Sequence, residues 1–116
     1  MPVSVQIFGL GNSQASRAAE RFFKERRIPL HYVDLKKKAM APAEIGRFVS
    51  KFGLASLLDT ESTAWVDAGL KYMKVSDTEM LAKIEKTPSL LRLPLVRSGN
   101  RLAVGRDEAG WKAMLE

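Results

Sequence analysis

The first thirty-five residues constrain the architecture more than any other stretch. Val3-Ser4-Val5-Gln6-Ile7-Phe8 alternates and then runs apolar, as a buried strand does. Gly9-Leu10-Gly11-Asn12-Ser13 is a turn. Ala15, Ala18, Ala19, Phe22 and Phe23 then fall on one helical face, with Arg17, Glu20, Arg21, Lys24 and Glu25 opposite. This predicts a helix from about Gln14 to Arg27, with Asn12 or Ser13 as its cap. Pro29 follows, and then a second strand from Leu30 to Leu35. Strand, helix and strand in so short a length make a βαβ unit. Its crossover should be right-handed, leaving the two strands parallel.

The middle of the chain reads as helical. Pro42 suits the first turn of a helix whose core face is Ile45, Phe48, Val49 and Phe52, with Gly53 as its stop. Ser62 or Thr63 can start another helix carrying Trp65, Ala68 and Tyr72. Ser76 with Glu79 is a capping box before Met80, Leu81 and Ile84. Thr87-Pro88 restarts a short turn. Leu93 to Arg97, a Ser98-Gly99-Asn100 turn, and Arg101 to Val104 then make a β-hairpin. Pro94 lacks an N–H, so it belongs at the beginning of its strand. Asp107 caps a last helix with Trp111, Met114 and Leu115 inward. The order is βαβ, a helical block, then ββα, with no repeat or long linker between them.

The 116 residues fit one domain with a sizeable core. Hydrophobic residues make up 46% and charged residues 28%, a globular composition. The absence of cysteine excludes disulfides, thiolate metal ligands and a thiol nucleophile. A single histidine, His31, argues against a metal site. No segment approaches the ~18 consecutive apolar residues of a membrane helix, and the start has no basic stretch of the kind that opens a secretion signal. The expected setting is cytoplasmic, with no membrane partner. The net charge of +6 favours anionic partners in general.

Phe8-Gly9-Leu10-Gly11-Asn12-Ser13 resembles the Y-G-I-x-N-C opening of the arsenate reductase ArsC / Spx family. Gly53-Leu54-Ala55-Ser56-Leu57-Leu58-Asp59-Thr60-Glu61-Ser62-Thr63-Ala64-Trp65 is similar to its G-W-x-x-L-L-N-T/K-R-G/S-T-T-W/Y stretch. Pro88 to Val96 resembles P-x-L-I-K-R-P-I-V, and Val104-Gly105-Arg106 the closing V-G-F or G-R. The resemblance spans nearly the whole chain. It implies a single domain with a thioredoxin-like fold and a mixed four-stranded sheet. Residues 1–35 and 86–116 would form the core, and about 40–85 a helical insertion. It also implies that Pro94 is cis and faces the first helix's N-terminus. In the family's arsenate reductases a cysteine at that helix start attacks arsenate, arginines hold the oxyanion, and glutathione or a glutaredoxin completes the reduction. The Spx branch instead binds RNA polymerase and alters transcription.

This chain departs from that pattern where the chemistry lies. The nucleophile position is Ser13, the arginine after the L-L-N-T/K run is Glu61, and the arginine before the proline is Leu93. Arg106 stands at the last arginine position, and Arg92 is one residue from the second. A helix N-terminus activates a thiol by stabilising thiolate. A serine hydroxyl stays protonated and needs an adjacent base. His31, near the start of the second strand, should lie at the opposite sheet edge. Thiol-based arsenate reduction is therefore not expected.

Two readings follow. The first is a non-catalytic regulatory or protein-interaction member, without a cofactor, whose partner belongs to transcription or redox machinery. The second is a reductase- or transferase-like protein that binds glutathione or another thiol at Ser13 and the Pro94 strand. The candidate ligand- or anion-binding residues are Asn12, Ser13, Arg92, Pro94 and Arg106; no metal site is expected. Asp59 and Glu61 read as a solvated acidic patch. Arg17, Arg21, Lys24, Arg26 and Arg27, with Lys36-Lys37-Lys38, are either solvated faces or docking surfaces for an acidic protein or nucleic acid. No aromatics interleave with them, which disfavours a single-strand binder that stacks bases. Trp65, Tyr72 and Trp111 read as core aromatics.

Overall fold

The computed structural model describes residues 4–70 and 73–115. The predicted strand start at Val3 and the predicted core residue Tyr72 lie outside them. The chain divides into two compact units, Met1–Lys38 with Leu93–Glu116, and Ala39–Arg92.

The first unit is built on a four-stranded mixed sheet. Strand β1 (Val5–Gly9) leads to helix α1 (Gln14–Glu25) and then β2 (Leu30–Asp34). The sheet order is β2-β1-β3-β4, where β3 is Leu95–Ser98 and β4 is Arg101–Val104. β1 pairs with β2 in parallel, Val5 against Leu30 through Gly9 against Asp34. β3 runs antiparallel to both neighbours. Ser98 pairs with Arg101, so the hairpin loop is the two residues Gly99-Asn100, tighter than the predicted three. Gly99 has φ +60°, which a two-residue hairpin turn demands. The Leu93–Pro94 peptide bond is cis, and Pro94 immediately precedes β3.

Val5, Ile7, Val96 and Ala103 form one buried cluster with Ala19, Phe22 and Phe23 of α1 and with Trp111 and Met114. The latter two come from the last helix (Glu108–Ala113) and its C-cap. Both helices therefore pack on the same sheet face. Trp111 is fully buried, with its ring centroid 5.4 Å from Phe22 and 6.3 Å from Phe23. Asp107 caps that helix, accepting from the Gly110 N–H at 2.9 Å.

Helix α1 stops at Glu25, two residues short of the predicted Arg27. Arg27 takes φ +56°; its N–H donates to the Lys24 carbonyl, and the Ile28 N–H to that of Phe23. This is a Schellman motif built on a non-glycine residue.

The second unit is helical. Helix α2 (Pro42–Phe52) buries Ile45 and Phe48 and ends at Gly53, whose φ is +83°. Val49 and Phe52 are only half-buried. A short helix α3 (Leu54–Leu57), absent from the sequence reading, follows at once and buries Leu57. Helix α4 (Thr63–Asp67) is capped by Ser62 and buries none of its residues. Trp65 is thus half-buried, not a core aromatic, because α4 turns no side chain fully into the interior. Helix α5 (Asp77–Lys86), capped by Ser76, buries Met80 and Ile84. A 3-10 turn (Pro88–Leu90) leads to Leu91, which bridges Leu58. The last helix of the first unit is α6. The two units together carry the βαβ, helical, ββα order of a thioredoxin-like fold with a helical insertion.

Candidate functional site

The end of β1 and the start of α1 are held by a small set of backbone and hydroxyl contacts. Ser13 N–H donates to the Leu10 carbonyl at 3.0 Å, closing the Gly9–Ser13 turn. The Ser13 carbonyl then accepts from Arg17 N–H at 3.1 Å, and its Oγ accepts from Ser16 N–H at 3.2 Å. Ser13 is therefore the N-cap of α1, with the extended backbone (φ −89°, ψ 118°) that caps adopt. The first turn of α1 contains no acidic residue, so the positive end of its dipole is not offset locally. Asn12 is exposed beside it.

Beneath the turn lies a second hydroxyl group that the sequence reading missed. Ser16 is fully buried, and its Oγ accepts from Leu10 N–H at 3.3 Å. Gly9 packs directly against it: a Cβ at Gly9 would stand 2.5 Å from Ser16 Oγ and 2.9 Å from the Tyr32 hydroxyl oxygen. Here glycine is required by close approach. The Tyr32 hydroxyl is buried beside Ser16 without reaching hydrogen-bond geometry among the described residues. Burial raises the Tyr32 pKa above the usual phenol value; the Ser16 hydroxyl and Arg17 offset part of this, while Glu20 and Asp34 add to it. The missed signal is spacing: Ser16, Ala19 and Phe23 recur at the interval of one helical face. Ser16 is the polar member of that series.

Pro94 is fully buried, and its carbonyl accepts from Gly105 N–H at 2.9 Å. Phe8 pairs with Leu95, so the next step of the ladder brings Pro94 alongside Gly9. Arg106 follows β4. Its side chain is 60% exposed, lies 3.8 Å from Glu108, and lines a groove of about 370 Å³ with Gln14, Arg17, Ala18 and Arg21. Leu93 is buried. Arg92 belongs to the other unit, where its Nε donates to the Leu58 carbonyl at 3.1 Å and its N–H to that of Leu57 at 2.7 Å. Asp59 and Glu61 are in that unit too: the Asp59 side chain accepts from Glu61 N–H at 3.2 Å, fixing a turn.

His31 is exposed and pairs with Gln6, three residues before the end of β1. It lines a separate cavity with Pro29, Arg97 and Gly99. At about 3.3 Å per residue, three strand residues alone separate it from Gly9 by roughly 10 Å. Among the described residues no cluster of three or more metal-ligating side chains occurs, and no helix is long and apolar enough to cross a membrane.

Residues 8–114 match the ArsC family. The global transcriptional regulator Spx of Streptococcus pneumoniae is 22% identical over 113 residues, which cover 96% of this chain and 85% of that protein. Among solved structures, an arsenate reductase from Vibrio cholerae superposes with a TM-score of 0.82 at 16% identity, covering 98% of this chain and 99% of that one. An arsenate reductase (ArsC) related protein from Brucella melitensis gives 0.67 at 21% identity, covering 97% and 95%. At such identities the structural likeness establishes the fold.

Proposed function

This chain belongs to the ArsC family, and we propose that it is a non-catalytic member that works in the cytoplasm by binding a partner protein. The observation that carries this reading is Ser13. At the family's nucleophile position it serves as a helix cap, and the only histidine of the chain sits at the other end of the strands. A hydroxyl with no base beside it is a poor nucleophile. Its partner would belong to transcription or redox machinery, and the similarity to a transcriptional regulator supports the former. The test is arsenate reduction with glutathione and glutaredoxin supplied. The purified protein should give no turnover above the protein-free control; turnover that Ser13→Ala abolishes would overturn the reading.

A second reading is favoured by one feature of the same residue. Ser13 Oγ accepts from Ser16 N–H, and no described hydrogen bond uses its own proton. That proton is free to be donated to a thiolate or oxyanion at the α1 entrance, where Asn12 and the Pro94 strand would flank it. Calorimetry with glutathione decides: heat that Ser13→Ala removes supports this reading, and no heat at millimolar ligand eliminates it.

A further inference from the structure

We infer that the groove between α1 and Arg106 is the docking surface for an acidic segment of a partner protein. The inference rests on the protein-binding reading above and gives that reading a surface. Three guanidinium groups, Arg17, Arg21 and Arg106, line the groove with Gln14 and Ala18, and no carboxylate is among the lining residues.

Lys24 of α1 and Arg26 at its C-cap have partners within the chain. Lys24 pairs with Glu20 at 3.7 Å. Arg26 donates to the Phe22 carbonyl at 3.0 Å and lies 3.7 Å from the Phe22 ring centroid. Arg17 and Arg21 have no carboxylate within 4 Å among the described residues. Standing one turn apart on the same helix, they repel each other. Arg106 has only a solvent-exposed pairing with Glu108, of little energetic weight. An occupant bearing spaced negative charge would relieve that repulsion and complement all three arginines.

Beyond Arg21 and Arg106 the surface continues as a second groove of about 270 Å³, where Phe22 and the carboxylates Glu25 and Glu108 join the lining together with Arg26 and Lys112, so the uniformly basic lining becomes mixed. That change of character selects the partner. A nucleic-acid backbone carries a phosphate at every step and would set some of them against Glu25 and Glu108. A peptide can present carboxylates to the arginines and uncharged side chains to the mixed end.

The probe is a short fluorescein-labelled peptide of alternating glutamate and alanine, read by anisotropy at low ionic strength. Arg17→Glu with Arg21→Glu should weaken binding about tenfold. Lys37→Glu with Lys38→Glu changes net charge equally and should weaken it less than about twofold. Both pairs are exposed, and circular dichroism checks that each variant folds; Arg17→Gln with Arg21→Gln replaces a variant that does not. Equal weakening by the two pairs, or no binding by wild type, overturns the inference. Tighter binding of a single-stranded oligonucleotide of the same charge overturns the choice of a peptide. Arsenate turnover tests the non-catalytic reading separately, so either can fail without the other.

Discussion

Replacing Ser13 with alanine separates a structural serine from a reactive one. In the folded protein Ser13 Oγ satisfies one otherwise unpaired N–H at the start of α1, that of Ser16. Loss of such a cap costs about 1 kcal/mol, within a range of roughly 0.5–2. The whole of that cost should appear in global stability, because α1 carries Ala19, Phe22 and Phe23 of the buried cluster. For 116 residues, at about 2.1 cal/mol/K per residue, the unfolding entropy is near 0.24 kcal/mol/K, so Tm should fall by about 4 °C. Ser13→Asp keeps the acceptor and adds a negative charge to a first turn that has none. It should leave stability unchanged or raise it by up to about 1 kcal/mol. Urea denaturation followed by circular dichroism gives both values, with an unchanged m confirming that only stability moved. If alanine matches wild type, or aspartate is as damaging as alanine, Ser13 is not acting as the cap and the reasoning fails.

Gly9→Ala should destabilise by about 1–3 kcal/mol, since the new methyl would meet the buried Ser16 side chain and the Tyr32 oxygen; a denaturation midpoint within error of wild type would contradict the close approach. Arg27→Gly should stabilise by up to about 1 kcal/mol, because it relieves the left-handed backbone at φ +56°, and a calorimetric Tm no higher than wild type would refute this. The raised Tyr32 pKa favours the neutral phenol in the folded state. Its stabilising contribution is complete below the ordinary phenol pKa near 10 and is lost as pH rises through the higher folded value. Absorbance titration of tyrosinate should show one late-titrating phenol that Tyr32→Phe removes; a Tyr32 that titrates at or below the ordinary value refutes it.

The strand and turn pattern of the first unit was legible because local chemistry and burial agree there. The alternation into Ile7-Phe8, a turn around Gly99-Asn100 (read one residue too long) and the Asp107 cap each answer to a nearest-neighbour rule, as do Ser13, one of two candidate caps with Asn12, and, in the second unit, the caps Ser62 and Ser76. Ser16 was not read as buried, because a hydroxyl normally marks the solvent side. Its place under Gly9 depends on contacts between elements. The same applies to Arg26, whose stacking on Phe22 takes it out of the basic face that sequence alone assigned it. Trp65 misled in the opposite direction: an aromatic at helical spacing suggests core, but α4 buries none of its residues. The groove of Arg17, Arg21 and Arg106 joins residues some ninety positions apart, and only the packing of α1 beside the segment after β4 brings them together.

The helix entrance that would activate a sulfur is intact in this chain, while the sulfur itself is missing. Installing it tests this directly. Ser13→Cys creates the only thiol in the chain, so thiolate absorbance against pH reports on position 13 alone. The dipole of α1 and its free N–H groups should lower the thiol pKa from about 8.5 by roughly one unit. A pKa at or above 8.5 would contradict the claim.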